Sequence, residues 1–278
     1  MVSGTGLEKF AAEYPDRFFD VGIAEGCAVS MAAGMAKQGT IPVFAVYSTF
    51  LQRAYDMLLH DVAIDKLHIV LGVDRAGLVG EDGETHQGVF DVAYLDGVPG
   101  MRVLAPASFA EMESMLERAV LHMNGPVAVR YPRGGEGAYQ ADSGAVSAVT
   151  LRPGRDITMV GYGIGINDLL AAADTLEKDG IAAEVVKLNE ITPLPAEYVL
   201  ESVRRTGALL VAEDSIASAG VGQRLAAAME VAGVNAGTAL INSGSTFVHH
   251  GAVSSLKAEL GLDTAGITNK AREVLRRG

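Results

Sequence analysis

The chain is 278 residues long, 49% hydrophobic and rich in glycine, with a single cysteine and a formal net charge of −12. That length builds one large or two modest domains, and the acidic balance argues against general nucleic-acid binding, which needs a basic face. No apolar run reaches the roughly 18 residues of a membrane helix, and Cys27 alone forms no internal disulfide.

The residues before Glu8 include neither a basic stretch nor an apolar core of signal-peptide type, so a cytoplasmic protein is expected. No Cys/His cluster has zinc spacing, and no metal ligands are expected on this chain. The first half then alternates strand and helix. Phe18–Ile23 reads as a short strand. Glu25–Lys37 reads as a helix whose small residues Ala28, Ala32, Ala33 and Ala36 permit close packing. Ile41–Val46 is a continuous apolar run, as expected of a strand buried on both faces. Phe50–Ile64 reads as one helix with the apolar stripe Leu51, Tyr55, Leu58, Leu59 and Val62. Leu67–Val73 is a second buried strand, followed by a glycine-rich loop over 74–90. A strand ends at Val103-Leu-Ala-Pro106. Ser108 then caps a helix, with Glu111 at the capping-box position, and Val127–Arg130 is the last strand of this half.

Periodicity fades where Gly, Ala, Ser and Asp dominate, and a linker is expected over 137–155. Beyond it come strands at 156–162, 183–188, 208–212 and 238–242, with helices at 166–179, 196–204, 221–232, 252–260 and 264–277. Strand alternating with helix implies mostly parallel sheets covered on both faces. The expected fold is therefore α/β, with two doubly wound domains over 1–136 and 156–278.

The residues suited to chemistry stand at the junctions. Glu25 follows an apolar segment and opens a helix. It can be an ordinary N-terminal carboxylate favoured by the helix dipole, or a group that shares a proton with a ring nitrogen. Phe50 can pack in the core or form a flat wall for an aromatic ligand. Arg53, Arg75 and Arg133 lie near strand ends, where open α/β sheets bind ligands, and a guanidinium suits a phosphate or carboxylate. His86, among Gly80, Gly83 and Gly88, can be a solvated loop residue or a proton shuttle, and Asp82 can orient it or bind a hydroxyl. His60 and Asp61 read as structural. His249 and His250 are adjacent, so they do not face one metal; they read as a domain-contact loop.

Three segments carry a family resemblance: Asp16-Arg-Phe-Phe-Asp-Val-Gly-Ile-Ala-Glu25, Tyr47-Ser-Thr-Phe-Leu-Gln-Arg53 continuing to Asp61, and Asp74-Arg-Ala-Gly-Leu-Val-Gly-Glu-Asp-Gly-Glu-Thr-His-Gln-Gly88. With Gly251 and Glu259-Leu-Gly-Leu-Asp-Thr-Ala-Gly-Ile267, the chain resembles the C-terminal half of the 1-deoxy-D-xylulose-5-phosphate synthases across nearly its whole length. The resemblance implies a thiamine diphosphate pyrimidine-binding domain followed by a transketolase C-terminal-like domain. It implies Glu25 as the cofactor-activating carboxylate and Phe50 packed on the pyrimidine. Tyr47, Arg53, Arg75, Asp82, His86 and Arg133 would line the substrate pocket, with Arg75 and Arg133 on the acceptor phosphate. His86 would serve the reacting oxygens, and Arg53 would also touch the cofactor. The implied reaction condenses pyruvate with D-glyceraldehyde 3-phosphate, loses CO2, and supplies isoprenoid and thiamine biosynthesis.

The match has two departures. Gly26-Cys27 stand where the family has Gln-His, and Cys27 is no substitute for an imidazole base. The family's N-terminal domain, whose Gly-Asp-Gly motif and asparagine hold magnesium and the diphosphate, has no counterpart in this sequence. A partner domain or subunit supplying it, a homodimer, and inactivity of this chain alone are the resulting expectations. The alternatives are a transketolase-like subunit acting on other sugar phosphates and a non-catalytic dimerisation or regulatory domain pair.

Overall fold

A computed structural model describes residues 2–277. Two five-stranded sheets, each mostly parallel and flanked by helices, form the frame. The first half contains helix α1 (Glu8–Glu13), α2 (Glu25–Lys37), strand β1 (Val43–Tyr47), α3 (Ser48–Leu51), the helical turn α4 (Tyr55–Met57), β2 (Val70–Asp74), α5 (Asp91–Asp96), β3 (Arg102–Leu104), α6 (Phe109–Leu121) and β4 (Val127–Arg130). The second half contains β5 (Ala148–Arg152), β6 (Ile157–Tyr162), α7 (Ile166–Lys178), β7 (Ala183–Leu188), β8 (Glu190–Thr192), α8 (Ala196–Thr206), β9 (Ala208–Ala212), α9 (Val221–Val231), β10 (Gly237–Ile241), α10 (Val253–Leu260) and α11 (Thr264–Arg277). Among the described residues no helix is long and apolar enough to cross a membrane.

The first sheet runs β1-β2-β4-β3-β8 and the second β10-β9-β6-β7-β5, with only β8 and β5 antiparallel. Strands β2 and β4 lie inside the first sheet and are buried along their whole length, as an apolar strand covered by helices must be. The loops after β1, β2 and β4 therefore emerge together, and these loops carry the candidate site.

Several expectations are corrected. Phe18–Ile23 is not a strand: Gly22 takes a left-handed φ of +67° while its N–H donates to Asp20 Oδ1, so the chain turns there, and Phe19 and Ile23 are exposed. The 41–46 run forms β1, but as an edge strand whose Val43 is half exposed, not one buried on both faces. Phe50–Ile64 is not one α-helix. It passes from α3 through a 3-10 turn at Gln52–Ala54 and α4 into a π-helical stretch at Leu58–Ala63. Leu51, Leu58 and Val62 still reach the core, so the apolar spacing is retained while the helix type changes.

The stretch 137–155 holds a strand, β5, which pairs with β7. β8 follows β7 by one residue, yet it crosses to the edge of the first sheet, where Glu190 takes two hydrogen bonds from Arg102 (2.6 and 2.9 Å). Ser108 caps α6 by accepting the Glu111 N–H at 3.1 Å. The Glu111 carboxylate does not complete a capping box; Oε2 accepts the Ala107 N–H and pairs with Lys187 of β7, both at 2.8 Å. Oε1 accepts from the Tyr139 hydroxyl and the Ser143 Oγ, at 2.8 and 2.7 Å. Burial alone would push this carboxyl up, but Lys187 and these donors together hold it below the ordinary glutamate value.

Candidate active site

Glu25 is the first residue of α2, where the helix dipole favours a carboxylate. It is buried, and its Oε1 accepts a hydrogen bond from Arg53 Nη1 at 2.9 Å. It is thus held by a cation and not by apolar neighbours alone. Among the described residues no donor reaches Oε2. Arg53 sits in the 3-10 turn after α3, and its guanidinium lies 4.9 Å from the Phe50 ring centroid.

Phe50 is the hub of an aromatic group. It stacks on Tyr47 at 5.5 Å with ring planes 15° apart, and meets His86 edge-on at 5.3 Å. Tyr47 also covers the Arg75 guanidinium, 3.7 Å from its centroid. Arg75, with a left-handed φ of 57°, bends the chain immediately after β2. Its Nη1 donates to Asp74 Oδ2 at 2.6 Å and to the Gly4 carbonyl at 2.9 Å. Its Nε is buried and without a partner among the described residues, a donor left over for an anion. Burial pushes the Asp74 carboxyl up despite the opposing pull of Arg75.

The loop from Gly77 to Gly88 closes on itself through paired backbone hydrogen bonds between those two glycines, at 2.7 and 2.8 Å. A Cβ on Gly88 would stand 2.1 Å from the Arg75 carbonyl, so only glycine permits the approach. Within the loop, Thr85 Oγ1 lies 2.8 Å from His86 Nδ1, and Thr49 donates to the Thr85 carbonyl at 3.0 Å. The His86 ring is thereby anchored at one nitrogen, leaving Nε2 as the working atom. Asp82 pairs with Arg133 at 2.9 Å on the open side of the loop.

Glu25, Tyr47, Phe50, Arg53, Arg75 and His86 thus form one contiguous group, and Asp82 and Arg133 form a second at its rim. Arg133 also lines a cavity of about 170 Å³ between the halves, with Leu78, Tyr162, Asp214 and Lys257. A larger cavity of about 470 Å³, walled by α7 and α11, shares no residue with the site. His60 bonds within its own turn to Asp56, and Asp61 accepts from Ser30 at 2.5 Å. The His249 carbonyl accepts from Gln87 and the His250 Cβ lies against Gly83, while the His249 ring pairs with Glu259 at 3.3 Å.

Sequence reasoning missed the support beneath the site. Arg130, at the end of β4, is buried and donates to Asp91 at 2.9 Å and to Asp214 at 3.1 Å, with its guanidinium 5.2 Å from the Tyr162 ring. Asp91 and Asp214 hold Arg130 firmly charged against the penalty of burial, and so tie α5, β4 and the second half together. An arginine closing the apolar run Val127-Ala-Val was the available signal. Thr49, Thr85 and Gln87 gave none, because their roles depend on contacts across the loop.

The site suits a flat, nitrogen-bearing ring beside an anionic group: an aromatic wall, a carboxylate with a free oxygen, and arginines with unused donors. Among the described residues no three His, Cys, Asp or Glu side chains are placed to hold a metal.

Comparison with known proteins identifies the domains. The transketolase pyrimidine binding domain matches residues 1–135, and the transketolase C-terminal domain matches residues 147–267. The chain belongs to the transketolase family, as this pair of domains in sequence. Within that family it is similar to the 1-deoxy-D-xylulose-5-phosphate synthases: 44% identical over 275 residues to that of Thermomicrobium roseum and 41% over 279 residues to that of Heliobacterium modesticaldum. These alignments take in 97% and 99% of the chain but only 44% and 43% of the relatives, so the chain spans less than half of their length. A solved structure described as a split gene transketolase, inactive beta4 tetramer, superposes with a TM-score of 0.86 at 28% identity, covering 99% of this chain and 90% of its own.

Proposed function

We propose that this chain supplies the pyrimidine-facing and substrate-facing part of a thiamine diphosphate-dependent 1-deoxy-D-xylulose-5-phosphate synthase, which condenses pyruvate with D-glyceraldehyde 3-phosphate and releases CO2. The observation that carries this reading is the contiguous set Glu25–Arg53–Phe50–His86, assembled from three separate segments in a chain that aligns over nearly its whole length with part of such synthases. Thiamine diphosphate, when bound, supplies the electron sink for loss of CO2 from a 2-oxo acid.

The chain's own residues do the positioning. Phe50 gives the pyrimidine a flat wall. Arg53 fixes Glu25 through Oε1, which leaves Oε2 to hold a proton at a ring nitrogen of the cofactor. Tyr47, stacked between Phe50 and Arg75, closes the wall toward the substrate. His86, anchored through Nδ1, offers Nε2 to a substrate oxygen, and Asp82 stands by for a hydroxyl. Arg75, with an Nε that has no partner among the described residues, and Arg133, half exposed and paired with Asp82, are the phosphate ligands.

A diphosphate- and magnesium-binding half completes the enzyme, and this chain alone turns nothing over. The solved structure titled as a split gene transketolase supports that reading, since a chain of nearly the same extent exists there in an inactive tetramer. Pairing of two copies is supported by apolar side chains exposed on successive segments around α2: Phe10, Tyr14, Phe19, Ile23, Met31 and Val43.

The test is product formation from pyruvate and glyceraldehyde 3-phosphate with magnesium and thiamine diphosphate. The chain is assayed alone and mixed with a diphosphate-binding half from a similar synthase. Product only in the mixture is expected. Product from a ketose phosphate donor but not from pyruvate would make the chain a transketolase subunit instead. A folded, associated but silent mixture with either donor would favour a non-catalytic domain pair.

A further inference from the structure

The loop that carries Asp82 and His86 has four glycines from 77 to 88 and almost no regular structure. A loop of that composition does not hold two side chains in place by itself. The first half contributes the Gly77–Gly88 pairing, the Thr49 hydrogen bond and the Arg133–Asp82 pair. Further restraints come from the second half. The Gly251 N–H donates to the Gly80 carbonyl at 3.3 Å, and the Ile216 N–H to the Val89 carbonyl at 2.9 Å. Asp214 packs so closely on Gly77 that a Cβ there would overlap its carboxylate.

Gln87 joins these restraints. It is only 2% exposed, although it follows His86 in a loop at the surface. Its Oε1 accepts the Val79 N–H at 2.8 Å, which ties the loop across its own width. Its Nε2 donates to the His249 carbonyl at 3.1 Å, which ties the loop to the second half. A backbone N–H on one side and a carbonyl on the other admit only one amide orientation. His86 turns to Phe50 while Gln87 turns to His249, so adjacent residues grip opposite walls of the site.

We infer that Gln87 is a positioning residue for the reaction: it clamps the Asp82–His86 loop to the 244–253 segment of the second half, which makes that segment part of the active-site frame. This inference rests on the synthase reading of His86 and Asp82. It assigns the C-terminal domain a role in holding substrate-facing groups through the loop that carries them.

Gln87→Leu keeps the volume and removes both hydrogen bonds. In the full chain, amide exchange at Val79 should accelerate about tenfold or more, because a buried donor loses its acceptor, while amides of β2 and β6 keep their protection. In the complex with a diphosphate-binding half, the KM for glyceraldehyde 3-phosphate should rise about tenfold, with thiamine diphosphate affinity unchanged, since Glu25 and Phe50 lie outside the clamp. A merely structural glutamine would lower the amount of active enzyme and leave KM alone. Unchanged exchange at Val79, or faster exchange with unchanged KM, overturns the inference. If Gln87→Leu loses protection throughout, Gln87→Asn replaces it: the amide is retained but is one methylene too short to span both partners, and the same rise in KM is required. A wild-type complex that makes no product would defeat the synthase reading and the kinetic part with it, whereas Val79 exchange, measured on this chain alone, still judges the clamp.

Discussion

Two glutamate–cation pairs in this protein behave in opposite ways. Glu111 and Lys187 are both fully buried, and every oxygen of Glu111 is used by Lys187, the Ala107 N–H, Tyr139 and Ser143. Glu25 and Arg53 pair at a similar distance, yet Arg53 is half exposed and one oxygen of Glu25 has no donor among the described residues. The first pair is saturated and joins α6 to β7 across the two halves. The second is left incomplete beside an aromatic wall. A buried ionic group that is fully satisfied has no valence left for a ligand, so saturation separates the joint from the site.

The largest expected effect falls on the incomplete pair. Glu25→Ala should reduce product formation in the reconstituted complex by about 10²–10⁴-fold, the range for a positioned acid–base group. The thermal midpoint should move little, because Arg53 keeps access to water. Near-wild-type turnover by this variant would remove Glu25 from the mechanism. Glu111→Gln should do the reverse. It points an NH2 or a neutral oxygen at donors and leaves Lys187 without its counter-charge, with Asn189 as a neutral partner, at about 3–5 kcal/mol in denaturant unfolding. The fraction that remains folded should retain its KM values. Comparable losses of stability from both substitutions would erase the distinction.

A smaller effect sharpens the boundary of the site. Arg133→Ala and Arg75→Lys should each raise the KM for the phosphorylated acceptor about 10–100-fold, the worth of a charge-assisted hydrogen bond, with the KM for pyruvate nearly unchanged. Arg75→Lys should also loosen Tyr47, since an ammonium does not stack as a guanidinium does. Steady-state kinetics with each substrate varied separately checks both.

The same contrast explains what could be read from the sequence. Buried strands such as Val70–Asp74 and Val127–Arg130 announce themselves by apolar runs, and helices such as Ile166–Lys178 by their period. The site residues stood out because charged and aromatic types at strand ends break those runs. β8 was not legible: three residues between Asn189 and Pro193 carry no period, and their place at the edge of the other sheet is set by Arg102 far away in sequence. Phe18–Ile23 misled for the opposite reason. It has the composition of a strand, but Phe19 and Ile23 face outward and the turn at Gly22 bends the backbone. Glu111 looked like a capping residue because Lys187 approaches it only in the folded chain.

The smallest effect concerns acid. Glu111 titrates below its ordinary value of 4.5 in the folded chain, because Lys187 and several donors outweigh the burial that would raise it. A carboxylate with a depressed folded pKa contributes stability that is complete above its unfolded pKa and is lost as pH falls through the folded one. The thermal midpoint should therefore decline below about pH 4.5, the reference glutamate range. Glutamine is the neutral stand-in for the protonated acid, so Glu111→Gln at pH 7 marks the floor that this group's contribution approaches in acid. The decline reached while the protein is still folded must be smaller than the full loss in the variant. Midpoints of both proteins measured from pH 7 to pH 4 should converge as pH falls. Parallel curves would mean that Glu111 is not depressed, and that Lys187 is held by packing and not by its charge.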